Sequence, residues 1–225
     1  MTDYKTILQK VGWVLIAGGI IDILVMIYCV THEMSYSSSF NIFAVIAGIF
    51  LLRGSLKAAR IISFFAAFIS SGCAGGLFIL PFFLPFGLLL AYTRHETATV
   101  LGGLLLVFFI MALLVWIYRQ LTSTVVLSAM DETRIDHTSF WRKPTMGFWV
   151  GGCLCVFMLV FMPLMLGGAT AQEAKRRAAD QVGQGYKFAV TSLNMSSSGS
   201  GKHVFAEVAA YNDTEITNVV VEWSE

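Results

Sequence analysis

The chain has 225 residues, is 56% hydrophobic and only 13% charged, against the ~25% charge of an ordinary soluble domain. A formal net charge of +1 offers neither a basic surface for nucleic acid nor a signal for an acidic partner. The four cysteines, Cys29, Cys73, Cys153 and Cys155, all fall inside apolar runs, without disulfide-framework or zinc-finger spacing. The composition is that of a protein dissolved in lipid.

Lys5 and Lys10 precede an apolar run over residues 11–30, read as an uncleaved first span because a cleavable signal has a shorter apolar core. A loop with His32 and Glu33 follows. The apolar core of the second span is short, so the predicted helix covers 37–56 and lets Arg53 or Lys57 reach the interface. Residues 61–92 contain no Lys, Arg, Asp, Glu or His. That run is too long for one span of about 20 residues and too short for two comfortable ones. The third span is set at 61–80, because Pro81 and Pro85 follow and proline breaks a helix interior. Residues 81–96 then form an apolar interfacial segment. Ser70-Ser71-Gly72-Cys73 is similar to a lipoprotein cleavage box but lies far from any N-terminal signal. The fourth span is 97–117, the polar loop 118–145, and the fifth span 146–166 with Trp149 as an interfacial anchor.

Residues 169–185 change character. Glu173, Lys175, Arg176, Arg177 and Asp180 lie among alanines and predict a short, exposed, charged helical linker. Residues 186–225 alternate as strands do, with Tyr186, Phe188 and Val190, then Val204, Ala206 and Val208, then Val219, Val221 and Trp223 on one face. The fold expected is mainly α: a polytopic membrane helix bundle with a small C-terminal antiparallel β meander. About 40 residues rarely fold alone, so Phe188, Val204, Val219, Val221 and Trp223 are the expected docking surface for a partner.

Loop charge sets the orientation. With five spans and the N-terminus inside, Lys5, Lys10, Arg53, Lys57, Arg60, Arg119, Arg134, Arg142 and Lys143 are inside and Arg94 is alone outside. Lys175, Arg176 and Arg177 run against this rule. A six-span alternative places a turn at Gly72 to Gly76, but each half-run would then be about 15 residues, ~23 Å as helix, short of a ~30 Å core.

Several residues could carry chemistry. Asp22 is the one acid deep in a span, where a charge must face protein or water. Ser70 and Ser71 lie at a matching depth and could hydrogen-bond to it, either in a proton or cation relay or as helix packing. His32-Glu33 and His95-Glu96 could hold a divalent metal if their loops met. Cys155, Met158, Met162 and Met165 share a helical face of soft sulfur suited to Cu(I), although such residues also pack membranes. Gly72 with Gly76 and Gly147 with Gly151 are small-xxx-small pairs for helix packing. Asn194-Met195-Ser196 and Asn212-Asp213-Thr214 fit the glycosylation acceptor pattern. No nucleophile-and-base signature is present, so no enzyme and no cofactor are expected. The layout looks like that of accessory proteins of bacterial inner membranes, a likeness that assigns no residue role. The expectation is a non-enzymatic scaffold or assembly subunit, multi-pass in a bacterial inner membrane, with its N-terminus cytoplasmic and C-terminus outside. Its partners would be the bilayer and a membrane complex or a second copy. The alternative is a small transporter or channel coupled through Asp22.

Overall fold

The computed structural model describes residues 3–33, 40–83, 85–95, 97–133, 143–166, 168–183, 185–198, 201–212 and 215–224. Among them the order is α1 (Tyr4–Thr31), α2 (Phe40–Leu52), α3 (Leu56–Phe83), α4 (Phe86–His95), α5 (Thr97–Leu121), α6 (Thr124–Glu132), α7 (Met146–Leu166), α8 (Ala169–Val182), β1 (Lys187–Ser198), β2 (Gly201–Tyr211) and β3 (Ile216–Ser224). The chain divides into two compact units, Met1–Cys73 with Phe109–Gly152, and Ala74–Phe108 with Cys153–Glu225. The predicted start of the second span at residue 37, loop residues Arg134, Asp136 and Arg142, Glu96, and residues 213–214 lie outside the described set, as do the side chains of Met162 and Met165.

Three described helices are long and apolar enough to cross a bilayer: Tyr4–Thr31, Leu56–Phe82 and Thr97–Leu121. This is fewer than the five expected; the other two appear among the described residues as the shorter apolar stretches Ile42–Leu52 and Met146–Phe161. Trp13, Ile21, Phe78, Phe109 and Trp149 are between 62% and 72% exposed. Large apolar side chains exposed along helices of this length and hydropathy suggest a membrane-embedded protein.

The helix ends differ from the expected ones for local reasons. α1 begins at Tyr4 rather than residue 11, because Asp3 caps it by accepting from the Lys5 amide at 3.3 Å. α2 stops at a left-handed Gly54, φ +77°. The Gly54 amide donates to Leu51 O and the Ser55 amide to Phe50 O, the paired bonds of a Schellman close. Ser55 Oγ then accepts from the Ala58 amide and starts α3. α3 is unbroken through Gly72 and Gly76, which removes the turn that six spans require, and it ends at Phe83 with Pro81 inside it. Pro81 has no N–H to donate to the carbonyl four residues back, and the helix continues only two residues beyond it. The interfacial segment contains α4, whose ten residues reach ~15 Å, too short to cross. The polar loop hides α6, whose Val126, Ala129 and Met130 are buried at helical spacing.

In the first unit α1 and α2 pack antiparallel through glycine. A Cβ on Gly12 would fall 2.9 Å from Gly48 O, and one on Gly48 would fall 2.7 Å from Gly12 O. The core joins Ile7, Leu8 and Val11 of α1 to Leu51 of α2, Leu56 and Ala59 of α3, Ile117 and Leu121 of α5, and Val126 and Met130 of α6. α7 lies against α3 through Gly147 and Gly151. A Cβ at 147 would meet Phe64 O and come within 2.8 Å of Ala67 Cβ; one at 151 would meet Ser71 Oγ and come within 2.8 Å of Phe68 O. Because residue numbers rise together on both helices, the two run parallel.

In the second unit the strands form one antiparallel sheet in the order β1-β2-β3. Val204 pairs with Trp223, Ala206 with Val221 and Val208 with Val219. The β1–β2 register shifts between Val190 and Ser192, where Thr191 Oγ1 donates to Glu207 O at 3.0 Å. The β2–β3 connection is closed by Asn212, whose amide donates to Glu215 O and whose Oδ1 accepts from the Glu215 amide at 2.7 Å. α8 is not an exposed linker. Its Ala174 and Ala178 are fully buried against Val204, Ala206, Val208, Val219, Val221 and Trp223. Alanine at this spacing lets the helix axis approach the sheet closely, while Glu173 and Arg177 pair on the solvent side at 2.9 Å. Arg177 also lies over the Trp223 ring, 5.1 Å from its centroid, a cation–π contact.

The expected docking surface is therefore interior. Val204, Val219, Val221 and Trp223 are 2–8% exposed, and Phe188 is partly buried against the same cluster. The half-core that the strands lack by themselves is supplied by α8.

Candidate functional site

One corner of the second unit gathers basic side chains from two parts of the chain. Leu88 and Ala91 of α4 are buried against Ala189 of β1 and Ala209 and Tyr211 of β2. Their i, i+3 spacing puts them on one face. Phe86 and Leu90 stay 75% and 51% exposed and give α4 a second apolar face, as in a helix lying in a membrane interface. Gly87 admits the Tyr211 ring: a Cβ there would already lie 3.2 Å from Tyr211 Cε2. Lys187 pairs with Tyr211 across β1 and β2.

These constraints border an open cavity of about 300 Å³ lined by Leu90, Arg94 and His95 of α4, Lys187 of β1, Tyr211 of β2, and Asn212 just beyond it, with Arg94, His95 and Lys187 exposed to solvent. No carboxylate lines it among the described residues. Burial raises the Tyr211 phenol above its usual value, so the hydroxyl remains a donor at neutral pH. Arg94 and the basic His95 at the end of α4 are expected in part, because a helix C-terminus favours positive charge by ~0.3–1 kcal/mol. Lys187 has no such reason to be there. Three basic side chains with a phenol donor make a receptor for an oxyanion, since charge-assisted hydrogen bonds are stronger than neutral ones.

A second cavity, about 410 Å³, lies over the far end of the sheet beside Asn194, Ser196, His203, Phe205, Glu222 and Ser224. Ser224 Oγ and His203 Nδ1 are 2.8 Å apart, both exposed. A hydroxyl and an imidazole on an open sheet face lack the water exclusion and fixed oxyanion donors that nucleophilic catalysis needs.

The sequence-derived candidates are placed as follows. Asp22 is half-buried on α1. Ser70 is buried, and its Oγ has no hydrogen-bond partner among the described residues, so it does not donate to Asp22. Ser71 Oγ donates to Phe68 O at 2.9 Å. His32 is held by its own helix, stacked on Tyr28 at 4.2 Å with Nδ1 2.9 Å from Tyr28 O. His95 belongs to the basic cavity. Among the described residues no group of three or more His, Cys, Asp or Glu is placed to hold a metal. Cys155 meets α3 instead, its Cβ 2.9 Å from where a Gly75 Cβ would stand, and Met158 is 41% exposed. A Cβ at Gly72 or Gly76 meets nothing within 4 Å, so Gly75 rather than that pair provides the close approach. Arg94, Lys187 and Tyr211 were not singled out by sequence reasoning. Arg94-His95 ending an apolar segment was the one visible hint.

Comparison with protein-family models, curated proteins and solved structures finds no match for this chain.

Proposed function

We propose that this is a non-enzymatic, five-span accessory protein whose C-terminal α/β module is held at the membrane surface to engage a membrane complex. The observation that carries the reading is the packing of the sheet on α4, a short helix between two candidate spans. α5 leads the chain away from the side of α4, and the module returns to α4, so α7 must bring it back across. The parallel contact of α7 with α3 supports the same path. The end of α2 likewise packs beside the start of α1, so if α1 crosses, α2 crosses too, its ~20 Å length accommodated by local thinning or snorkelling. Basic loop residues favour an N-terminus in the cytoplasm and the module outside a bacterial inner membrane.

With one face covered by α8 and part of the other by α4, the contact surface moves to the remainder of that second face, where Phe205 and Val220 are 41% and 50% exposed, and to the outer edges of β1 and β3, whose backbone groups accept an added strand. The test is purification of the full chain in mild detergent, wild type against Phe205→Glu/Val220→Glu. The wild type should carry a companion subunit or a second copy, and the double variant should lose it at unchanged melting temperature. A wild type that purifies bare and monomeric would refute the docking role. Cysteines introduced at Ser139 and Ser198, one at a time, should differ in labelling by a membrane-impermeant reagent in intact cells; equal labelling would refute five crossings.

A second reading, transport coupled to Asp22, draws on the half-buried carboxyl in α1 and the unpartnered Ser70 hydroxyl in α3. Asp22→Asn should then abolish flux in proteoliposomes while assembly persists; flux at background in the wild type would end this reading.

A further inference from the structure

We infer that the cavity formed by Arg94, His95, Lys187 and Tyr211 binds a phosphate group, presented by an anionic lipid headgroup or by a soluble phosphate. The cavity volume, about 300 Å³, is at the small end of ligand sites, suited to a compact anion rather than a large apolar molecule. The lining charge is of one sign. Like charges from two separate elements repel unless a shared counter-ion offsets them. The helix dipole accounts for Arg94 and His95 but not for Lys187, which arrives from β1 through its pairing with Tyr211. Arg94 supplies a planar fork of donors matched to phosphate oxygens, and Lys187 a mobile point charge. Tyr211, protonated at neutral pH, adds a neutral donor.

The setting favours a lipid source. Phe86, Leu90 and Arg94 follow one another at i, i+4 and i+8 along α4, the first two apolar and exposed. A helix seated in the interface by that stripe carries its terminal arginine at headgroup level. Only this lipid source rests on the module lying at the membrane surface; phosphate binding itself does not.

The experiment uses full-length protein in nanodiscs of net-neutral phosphatidylcholine, with and without phosphatidylglycerol, and separately with inorganic phosphate added to the neutral discs. Retained lipid is counted by native mass spectrometry, and occupancy is read from protection of Lys187 against amine acylation. The wild type should retain phosphatidylglycerol, with Lys187 acylated at least about tenfold more slowly than in neutral discs, the effect of ~1.4 kcal/mol of protection. Arg94→Gln should abolish both effects at unchanged melting temperature, and Arg94→Lys should restore part of them. Arg176→Gln, an exposed cation of the same module outside the cavity, should leave both intact. Protection by inorganic phosphate alone identifies a soluble ligand and keeps the site while removing the lipid source. Equal loss in Arg176→Gln and Arg94→Gln, or no protection by either anion, overturns the inference.

Discussion

The two small-xxx-small pairs are alike in sequence and opposite in structure, which makes them a sharp test. At Gly147 an added Cβ would stand 2.8 Å from Ala67 Cβ and from the Phe68 amide nitrogen, and at Gly151 it would stand 2.8 Å from Phe68 O. Carbon atoms settle ~3.5–4.0 Å apart, so α7 and α3 must separate by roughly an ångström to admit one methyl group. Backbone atoms form most of the obstacle and cannot rotate aside. Overpacking of this kind costs ~1–3 kcal/mol, partly offset by the ~1 kcal/mol gain in helix propensity of Ala over Gly. Gly147→Ala and Gly151→Ala should therefore each lower the melting temperature in detergent by several degrees, at ~2–4 °C per kcal/mol for a chain of this size. Gly72→Ala and Gly76→Ala, whose new methyl meets nothing within 4 Å, should be neutral or raise it. The four variants are compared by loss of monodisperse protein after stepwise heating. Equal destabilisation by both pairs, or the reverse order, would refute the assignment of the helix contact.

Trp223→Ala should destabilise the module by ~3–5 kcal/mol, since the ring is buried between the sheet and α8 and carries the Arg177 contact; loss of the near-ultraviolet tryptophan signal must accompany faster proteolysis of residues 169–225, and an unchanged digestion pattern would contradict the covered core. Ser70→Ala should be neutral or stabilising by ~1–3 kcal/mol, because it removes a buried hydroxyl that has no hydrogen-bond partner among the described residues; a large loss of stability would reveal a partner for that hydroxyl. The raised phenol of Tyr211 means the folded state holds the proton more tightly than the unfolded state. Its contribution is full below the unfolded value of ~10 and declines as pH rises through the folded one. Tyr211→Phe should flatten the alkaline fall in stability above about pH 10, measured by urea unfolding at a series of pH values.

Much of the architecture was legible because lipid and water impose a coarse sorting that single residues obey. Apolar runs marked α1, α3 and α5, and strict alternation marked β2 and β3. Helix ends were less legible. Asp3 begins α1 and Gly54 ends α2 through particular hydrogen bonds, and neither event coincides with the apolar boundary. α8 was visible in principle: Ala171, Ala174 and Ala178 repeat at helical spacing. Alanine, however, scores as neither strongly apolar nor polar, and the charges between drew the reading outward. α6 was missed for a similar reason, a short apolar stripe inside a charged stretch.

The sequence by itself determined that this chain belongs in a membrane and ends in a three-stranded meander, because hydropathy and period are properties of neighbouring residues. Only the tertiary structure decided which glycines bear a helix contact, which face of the sheet is covered, and that Arg94, Lys187 and Tyr211 share a cavity. Those outcomes depend on strand register and on which helices lie side by side, and residues far apart in a chain carry no local mark of the neighbours that packing assigns them.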